Sequence, residues 1–534
     1  MREKFIVTAT PPTTNGDLHI GHIAGPYLGA DVFSRFQRLK GSEVIYVSGA
    51  DNNQSYVVTT SEKLSRDPVG LCEEFTDRIK GTLKKAAIDI DAFTSPDYKH
   101  EEFVKSFFND LHEKNAFVCQ TKDIWYSEEE KRYLFESYIS GFCPTCSEPT
   151  KGGICESCGH PNDLTDLVLP KCSISQSGNI SKRKIKGLFF ELEKFRPQLR
   201  AFYDSRKGIW RRHILALVDE LLAERLIDYP ITYPSSWGIK FPHGEFRDTV
   251  INVWAEMLPG LIHSTRIAKN LDGGRCNIWH KQSGYKLVQF LGYDNSFFFA
   301  VLHLALLIAS GKEWILPDYI ITNEFYLLDY RKFSTSQGHV VWARDILETV
   351  PCDELRFYLC FSNPEMYQTN FSEHEMRNFS RKMLVEPLGK LMFQMSTLFE
   401  GKKGISLSMN DTSELLQKTV GRYYKLLEES FSPATFSLCG ASRTLAAFIS
   451  WLVRYAEESR GVTILDQSKR RKSVVDMAYA LLALIAFSSP IMPNLSQKLK
   501  MLLGISAKMN WDLPMSVDSM NLAALPEDVK TLLS

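Results

Sequence analysis

The chain has 534 residues, and its 63 basic and 63 acidic side chains leave a formal net charge of zero. This balance excludes an overall positive field, so any contact with nucleic acid would depend on local basic patches. Hydrophobic residues make up 44% of the chain, which suits an ordinary globular protein of about two to four domains. The apolar runs are too short to span a bilayer, and because a strand-like segment begins almost at Met1 we expect no signal peptide. We therefore expect no membrane segment. Most of the 11 cysteines are scattered singly, as in proteins of a reducing compartment, so we expect a cytoplasmic protein.

The first predicted elements are a strand, a loop and a long helix. "KFIVTATPP" (4–12) has the β-branched and aromatic content of a strand. Apolar residues then recur at helical spacing over 20–39, and Gly41 stands where a C-terminal cap would end the helix. His19 and His22 mark the start of this helix. In a βαβ unit such a helix start attracts phosphate, and two imidazoles would add hydrogen-bond donors. The alternative is a helix cap with two exposed histidines.

Alternating strands and helices continue to about residue 115, which predicts a parallel α/β sheet. The pattern changes from about 116 to 230 and then resumes. "KLVQFLGYDNSFFFAVLHLALLIASG" (286–311) predicts a strand, a turn and a helix. An insertion therefore separates two α/β halves. Beyond about residue 385 nearly all segments have helical spacing, which predicts a helical bundle.

A cysteine-rich knuckle lies inside the predicted insertion. Its cysteines are Cys143, Cys146, Cys155 and Cys158, in the pattern C-x2-C-x8-C-x2-C. Each pair would place two thiolates on one ion from a tight turn, and two pairs complete a tetrahedron around zinc. Four sulfur ligands leave no open position for water, so we expect structural zinc. Disulfides, unpaired thiols and an iron site are the alternatives.

Four motifs occur in a fixed order along the chain. "HIGH" spans 19–22, "ITYPSSWGIKFP" spans 231–242, "FLGYDN" spans 290–295 and "RKFSTSQG" spans 331–338. Together with the knuckle and the helical tail, these motifs resemble the methionyl-tRNA synthetase family of class I aminoacyl-tRNA synthetases. The "RKFSTSQG" segment falls where that family has its KMSKS loop.

The resemblance implies a Rossmann-type α/β parallel-sheet catalytic domain, split by a zinc-knuckle connective insertion and followed by an α-helical bundle domain. The implied boundaries are the first catalytic half (1–115), the connective-peptide insertion with the knuckle (116–230), the second catalytic half (231–323), the KMSKS-loop and stem-contact region (324–385) and an anticodon-binding-like bundle (386–534).

The resemblance also implies an enzyme that uses ATP and Mg²⁺ to convert an amino acid into an aminoacyl-adenylate. The implied catalytic residues are His19, His22, Lys332, Ser334 and Ser336. The implied ATP-binding residues are Gly21, Gly292, Asp294 and Lys332. The implied amino-acid-binding residues are Thr13, Asp51, Trp254, Leu261, Phe299 and His303, with Asp51 pairing with the α-ammonium group.

The chain departs from the family pattern at the phosphates and at the amino acid. Thr335 replaces the second lysine of the KMSKS loop, and Tyr293 replaces a lysine before Asp294. Losing a preorganised cation typically costs a few kcal/mol of transition-state stabilisation. "WAEMLPGL" (254–261) replaces a run close to WLDAPIGY, so that a tyrosine becomes Leu261. Phe299 and His303 replace a histidine and a tryptophan, which predicts an altered amino-acid pocket.

The predicted tail departs furthest from the family. Gly461 and Val462 stand where the family has a Pro–Trp pair that stacks on the anticodon, although Arg460 is a nearby substitute. Basic clusters at 182–186 and 469–472 are the remaining candidates for RNA contact, or are simply solvated faces. We therefore expect tRNA as one candidate acceptor without reading of the methionine anticodon.

Three functions fit these patterns. The first is a specialised paralogue that activates a different or modified amino acid and transfers it to tRNA or to another nucleophile, as in a biosynthetic pathway. The second is a housekeeping methionine-tRNA ligase, and the third is a non-catalytic binding or regulatory relative. We favour the first, because the "HIGH" motif, Asp51 and Lys332 are retained while the pocket and the tail differ. Both a monomer and a homodimer agree with the family.

Overall fold

The computed structural model describes residues 2–270, 278–333, 338–399, 405–407, 411–465, 467–506, 509–512, 517–526 and 529–533. At its centre is a five-stranded parallel sheet. In spatial order its strands are Pro317–Asn323, Tyr285–Gly292, Lys4–Ala9, Glu43–Gly49 and Ala92–Thr94.

The strand order reverses direction between Lys4–Ala9 and Tyr285–Gly292, which are neighbours in the sheet although about 275 residues separate them. Their register pairs Phe5 with Lys286 and Ala9 with Phe290. All but the first residue of "KFIVTA" are buried, as expected for a strand covered by helices on both faces. In open α/β sheets ligands bind at the carboxyl ends of the strands where the order reverses.

Helices cover both faces of this sheet. The helix after the first strand begins as Ile20–His22, passes through a π-helical turn at Ile23–Tyr27, and continues as Leu28–Leu39. The turn coincides with Gly25 and Pro26, where the backbone leaves helical geometry. The other helices around the sheet are Ser55–Leu64, Pro68–Lys85, Tyr98–Glu113, Val253–Ala268 and Leu304–Ala309, the last of them preceded by a π-helical turn at Phe298–His303.

The chain between the two halves of the sheet forms separate antiparallel sheets. One has the strand order Asp228–Pro230, Ile180–Glu191, Val118–Ser127 and Arg132–Leu134. The knuckle sheet has the order Pro149–Lys151, Ile139–Phe142 and Val168–Cys172. The helices Arg196–Asp204 and Arg212–Leu221 follow, and Thr232–Tyr233 pairs with Val250–Ile251 at the return to the central sheet.

A small sheet connects the catalytic fold with the tail, with the strand order Arg331–Lys332, Tyr326–Leu328 and Thr369–Phe371. The helices after Lys332 are Ala343–Ile346, Cys352–Phe361, Glu373–Ser380, Glu386–Phe399, Glu414–Phe431, Leu438–Leu465, Gln467–Ser488, Pro493–Leu502 and Lys530–Leu533, with a π-helical turn at Arg381–Val385. The predicted helical tail is thus present, but it also contains two short paired strands, Ile405–Leu407 and Val517–Met520.

The tail packs directly on the catalytic sheet through one continuous core. Tyr27 and Phe33 on the first helix belong to the same buried cluster as Leu445 and Leu481 in the tail. The predicted fold class, a split parallel α/β domain with a four-cysteine knuckle and a helical C-terminal region, is confirmed. Over the described ranges, we find no helix with the length and apolarity needed to cross a lipid bilayer.

Candidate active site

A cavity of about 420 Å³ opens at the carboxyl edge of the central sheet, where the strand order reverses. Its walls come from the segments that follow four of the five strands. They include Thr10 to Thr13 after the first strand, Asp51 after the second, Gly292 to Asn295 after the fourth and Asn323 after the fifth. His19 and His22 form another part of the wall. Residues more than 270 positions apart in sequence therefore face one space.

The two histidines stack on each other at the mouth of the first helix. Their ring centroids lie 3.7 Å apart, and the backbone N–H of His19 donates to Nδ1 of His22 at 3.2 Å. Because Nδ1 accepts this bond, the neutral His22 ring carries its proton on Nε2. Burial lowers the pKa of His22 to about 4, and burial together with His22 lowers the pKa of His19. Both rings are therefore neutral near pH 7, and His22 is both part of the helix cap and part of the cavity wall.

Gly21 allows this ring stack to form. A Cβ atom at Gly21 would lie 3.0 Å from the His19 ring and 3.4 Å from Phe333. Phe333 stacks on His19 with the centroids 4.5 Å apart and the rings nearly parallel. The segment after the loop also pairs with the histidine segment, because Ile20 N donates to Val341 O at 3.0 Å. The KMSKS-like region is thus attached to the "HIGH" motif at both of its described ends.

Lys332 reaches the cavity from this same region. Its Nζ lies 3.6 Å from Glu156 Oε2 on the zinc knuckle and 4.1 Å from the centroid of the Phe325 ring. Both side chains of the ion pair are more than a third exposed, so solvent screens the interaction. Ser334, Thr335 and Ser336 lie outside the described residues, and their predicted roles stay predictions. Lys332 and Lys151 are the basic side chains among the described residues that line the cavity.

Asp294 and Gly292 line the cavity at the end of the fourth strand. A Cβ atom at Gly292 would lie 2.5 Å from Asp294 Oδ1, so only glycine leaves this carboxylate in place. Asn295 donates to Asp294 at 3.0 Å. Burial, reinforced by the negative charge of Glu156, raises the pKa of Asp294 to about 7. Tyr293, where the family has a lysine, stacks on another aromatic side chain, that of His213, at 4.2 Å.

Asp51 lies at the other end of the cavity, held by the loop after the first strand. Its backbone N–H donates to Pro12 O at 2.9 Å, and the side chains of Thr13 and Gln54 hydrogen-bond its carboxylate. Burial, followed by the charge of Glu256, raises the pKa of Asp51 well above its usual value. This end of the cavity therefore holds two neighbouring buried acids, Asp51 and Glu256.

A second cavity, of about 30 Å³, adjoins the first beside Asp51. Asp51 and Met257 line both cavities, and Leu261 and Glu256 line the smaller one. Of the predicted amino-acid-binding residues, Thr13 and Trp254 line the larger cavity.

Phe299 and His303, the other two predicted amino-acid-binding residues, line neither of these two cavities. They are 1% and 2% exposed. His303 Nε2 donates to the backbone oxygen of Trp254 at 2.6 Å, and the Trp254 ring stacks on Phe298 with 3.9 Å between the centroids. His303 therefore supports the Trp254 backbone, Phe299 packs against His303 with 4.7 Å between the ring centroids, and contact of either residue with an amino acid stays a prediction.

The four knuckle cysteines converge as the sequence predicts. Their sulfur atoms all lie within 4.8 Å of one another, with 3.8 Å between Cys143 and Cys158 and 3.6 Å between Cys146 and Cys155. Bonds of about 2.3 Å to a tetrahedral zinc ion place sulfur atoms about 3.8 Å apart, so the arrangement fits structural zinc. Asn162 has a buried amide nitrogen without a partner, and its oxygen lies 3.5 Å from Cys143 Sγ. Rotating this amide by half a turn would let it donate to a zinc-bound thiolate.

The sequence patterns did not indicate several residues of the site. Glu156 belongs to the knuckle, and no local spacing shows that it faces Lys332. Tyr27, in the π-helical turn, donates to Thr10 O at 3.0 Å, and Gln54 immediately precedes the helix Ser55–Leu64; both line the larger cavity. In the tail, the side chains of Arg460 and Val462 lie outside the described residues, so their predicted part in anticodon contact stays untested.

Comparisons with known proteins agree with this geometry. The family model described as "tRNA synthetases class I (M)" matches residues 5–395. A protein of Chloroherpeton thalassium named methionine–tRNA ligase is 29% identical over 525 residues, covering 94% of this chain and 74% of the relative. A protein of the same name from Chlorobium luteolum is 32% identical over 402 residues, covering 73% of this chain and 57% of the relative.

A solved structure has the same fold over nearly the whole chain. Mycobacterium tuberculosis methionyl-tRNA synthetase, in complex with methionyl-adenylate, matches with a TM-score of 0.78 at 18% identity and covers 98% of both chains. At this level of identity the likeness concerns the fold. The match of the family model to nearly three quarters of the chain is the broader result. The chain belongs to the class I tRNA synthetases, enzymes that use ATP to activate an amino acid and join it to tRNA.

Proposed function

We propose that this chain is a specialised member of the family that activates an amino acid other than methionine. The proposal rests on the shape of the cavity around Asp51, where the amino acid would bind. Phe299 and His303 are buried outside both cavities, and the smaller of the two cavities that Asp51 lines has a volume of about 30 Å³. The four heavy atoms of a methionine side chain exceed this smaller cavity, so a methionine anchored at Asp51 would have to direct its side chain into the larger cavity.

In the proposed reaction the amino-acid carboxylate attacks the α-phosphate of ATP and releases pyrophosphate. His22 offers Nε2–H to the phosphate oxygens, and the neutral ring of His19 lies against it. Lys332 adds one positive charge from the loop. These groups are fixed by stacking and backbone pairing before ATP binds, which is the condition under which hydrogen-bond donors stabilise a transition state most.

The remaining residues position the two substrates. Asp294, at the end of its strand, would accept a hydrogen bond from the ribose, and Asp51 would pair with the α-ammonium group. Mg²⁺ would arrive with the triphosphate as its counter-ion, and Asp294 and Glu156 offer carboxylate oxygens on the same wall. Zinc, held by the knuckle cysteines, would fix the segment that carries Glu156.

Methionine is the second candidate substrate. The observation in its favour is that relatives covering 94% of this chain carry the name methionine–tRNA ligase. If methionine is the substrate, the pocket residues of this chain differ in identity from those of the family but form a pocket of the same shape when the amino acid binds.

For the acyl acceptor we propose a class of molecule, tRNA. Family membership favours tRNA, and Lys182 and Arg183 provide a basic surface on the insertion. Lys182 lies over the Trp125 ring, and Arg183 pairs with Glu128, so both side chains already have partners within the insertion. We propose that the methionine anticodon is not read, and that an acceptor other than tRNA is the alternative. Both a monomer and a homodimer agree with the proposal, and we expect the protein in the cytoplasm.

The proposal is tested by identifying the acyl group that the enzyme attaches to AMP. The protein is incubated with ATP, Mg²⁺, inorganic pyrophosphatase and an equimolar mixture of the 20 amino acids in roughly millimolar amounts, in the usual range of KM values for such substrates. Mass spectrometry then identifies the aminoacyl-adenylate. We expect an adenylate of an amino acid other than methionine. Methionyl-adenylate as the sole product would contradict the proposal and favour the second candidate. Adding cell RNA, with and without ribonuclease, distinguishes tRNA from another acceptor.

A further inference from the structure

Phe333 directly follows Lys332, and its ring packs on the "HIGH" motif. It stacks on His19 with 4.5 Å between the ring centroids and 3° between the ring planes. His22 stacks on the same imidazole, with the centroids 3.7 Å apart and the planes 30° apart. Two rings this close to one imidazole need its two opposite faces. His19 is therefore held between a ring of its own motif and a ring of the KMSKS-like region.

This stack leaves the hydrogen-bonding groups of the imidazoles available. The nitrogen atoms of an imidazole lie on the edge of the ring, whereas stacking covers its faces. The His22 ring is oriented by the backbone N–H of His19, which donates to His22 Nδ1 at 3.2 Å and leaves Nε2 as the protonated nitrogen. Phe333 has no polar atom in its side chain. Its ring can therefore fix the orientation of His19 without competing for the phosphate oxygens.

The Phe333 ring lines the larger cavity without filling it. The residue is half-buried, and the cavity keeps a volume of about 420 Å³ with the ring in place. The neighbouring side chain, that of Lys332, has other partners, with Nζ 4.1 Å from the centroid of the Phe325 ring and 3.6 Å from Glu156 Oε2. Consecutive side chains thus attach this segment to different parts of the cavity wall, and Phe333 provides the attachment to His19.

We infer that Phe333 is a positioning residue for the reaction: its ring holds the His19 imidazole, and through it the His22 imidazole, in the orientation that meets the triphosphate of ATP. This inference rests on the proposed placement of ATP at the two histidines, and it holds for any amino acid that the enzyme activates. A group that is ordered before the reaction stabilises the transition state most, because no free energy is spent on ordering it. A side chain without a ring would leave one face of His19 uncovered and the imidazole freer to turn.

The first test measures ATP–pyrophosphate exchange with saturating ATP, Mg²⁺ and the mixture of 20 amino acids. Phe333→Leu and Phe333→Ile remove the ring, whereas Phe333→Tyr keeps it, and circular dichroism checks that each variant is folded. We expect exchange to slow by about 3- to 10-fold without the ring, the effect of one stacked aromatic pair, and to stay within about twofold of the wild type in Phe333→Tyr. Phe393→Leu is the matched control, since it removes a half-exposed ring from the tail helix Glu386–Phe399 and should leave the rate unchanged.

A double-mutant cycle separates positioning from a general structural effect. His19→Ala alone should slow exchange by at least about tenfold, since a preorganised group at the phosphates is lost, and the rate is then measured at a correspondingly higher enzyme concentration. If Phe333 acts through His19, adding Phe333→Leu to His19→Ala should slow exchange by less than about twofold more. A ring that stabilised the fold in general would instead have the same effect in both backgrounds.

The other outcomes separate this inference from the function on which it rests. An effect of Phe333→Leu that is as large without His19 as with it would overturn the inference. Wild-type or faster exchange in the ring-free variants would overturn it too, because the ring would then be dispensable or an obstruction, and so would a Phe333→Tyr variant as slow as Phe333→Leu. In these cases the proposed function stands as long as His19→Ala slows exchange. Unchanged exchange in His19→Ala, or no exchange in the wild type, would overturn both.

Discussion

Replacing Arg356 by methionine would remove the charge that joins the catalytic sheet to the helical tail. Arg356 is 1% exposed, and its Nη2 lies 2.6 Å from Asp31 Oδ2. Asp31 belongs to the helix that continues from His22, so this pair also fixes the helix on which the candidate site depends. The guanidinium further donates, at 2.8–3.2 Å, to the backbone oxygens of Ala86, Ala87, Pro490 and Ile491.

The expected loss follows from these contacts. Breaking a buried ion pair by removing one partner costs about 3–5 kcal/mol. Asp31 would keep a second partner, because Arg35 lies 2.9 Å away, and this favours the lower end of that range. The buried carbonyl oxygens that lose their donor favour the upper end, at about 1–3 kcal/mol for a group that water does not reach. We expect a loss of about 4 kcal/mol from a total stability of about 5–15 kcal/mol.

Urea unfolding, followed by circular dichroism, measures this loss. Arg377→Met is the matched control, because Arg377 pairs with Glu373 while the two side chains are 47% and 51% exposed, and such pairs contribute less than about 1 kcal/mol. If Arg356→Met unfolds at the same urea concentration as the control, the ion pair does not hold the tail to the sheet.

The pH dependence of this effect has a definite sign. Burial raises the pKa of Asp31, but the charges of Arg356 and then Arg35 outweigh it, so the pKa lies below its usual value. The pair therefore stabilises the fold above the ordinary aspartate pKa of about 3.9 and loses that stabilisation as pH falls through the lowered value. The difference between the wild type and Arg356→Met should accordingly shrink in strong acid.

Three further predictions concern the site. His22→Ala should slow ATP–pyrophosphate exchange by about 100-fold, since one preorganised donor is lost, and a rate within about threefold of the wild type would mean that the ring serves only as a helix cap. Amino-acid binding should release protons, because burial and Glu256 raise the pKa of Asp51 and the ammonium group of the amino acid favours its ionised form. The apparent affinity for the amino acid then rises with pH between the usual and the raised pKa of Asp51. Calorimetry in two buffers of different ionisation enthalpy measures the released protons, and equal heats in both buffers would mean that no proton leaves. Cys155→Ser should reduce bound zinc to well below one ion per chain, as measured by elemental analysis, and full zinc content would contradict a four-sulfur site. The same change should raise the KM for ATP, because it would displace Glu156.

Local spacing was enough to predict part of the fold. The strand, loop and helix around His19 and His22 could be predicted because hydrophobic periodicity and the cap at Gly41 are properties of neighbouring residues. The cysteine spacing C-x2-C-x8-C-x2-C likewise predicted a cluster that the structure forms. The two short strands of the tail were not predicted, since Ile405–Leu407 and Val517–Met520 pair although about 110 residues of chain separate them.

The interior of the site could not be predicted in the same way. Helical spacing places Phe299 and His303 on the inward face of their helix, but only the packed structure shows that they lie outside both cavities and that Phe298 stacks on Trp254. The partner of Lys332 is equally hidden, because Glu156 reaches it from an insertion whose position depends on the tertiary fold. Motifs therefore indicated the chemistry of the site, whereas its size and charge depend on contacts between distant segments.

The most direct test of the central claim is a crystal structure of the protein with ATP. We expect the α-phosphate within hydrogen-bonding distance of His22 Nε2, with the ribose at Asp294 and the γ-phosphate directed toward Lys332. A triphosphate bound elsewhere, or one that lies in the cavity with both histidine rings turned away from it, would contradict the account.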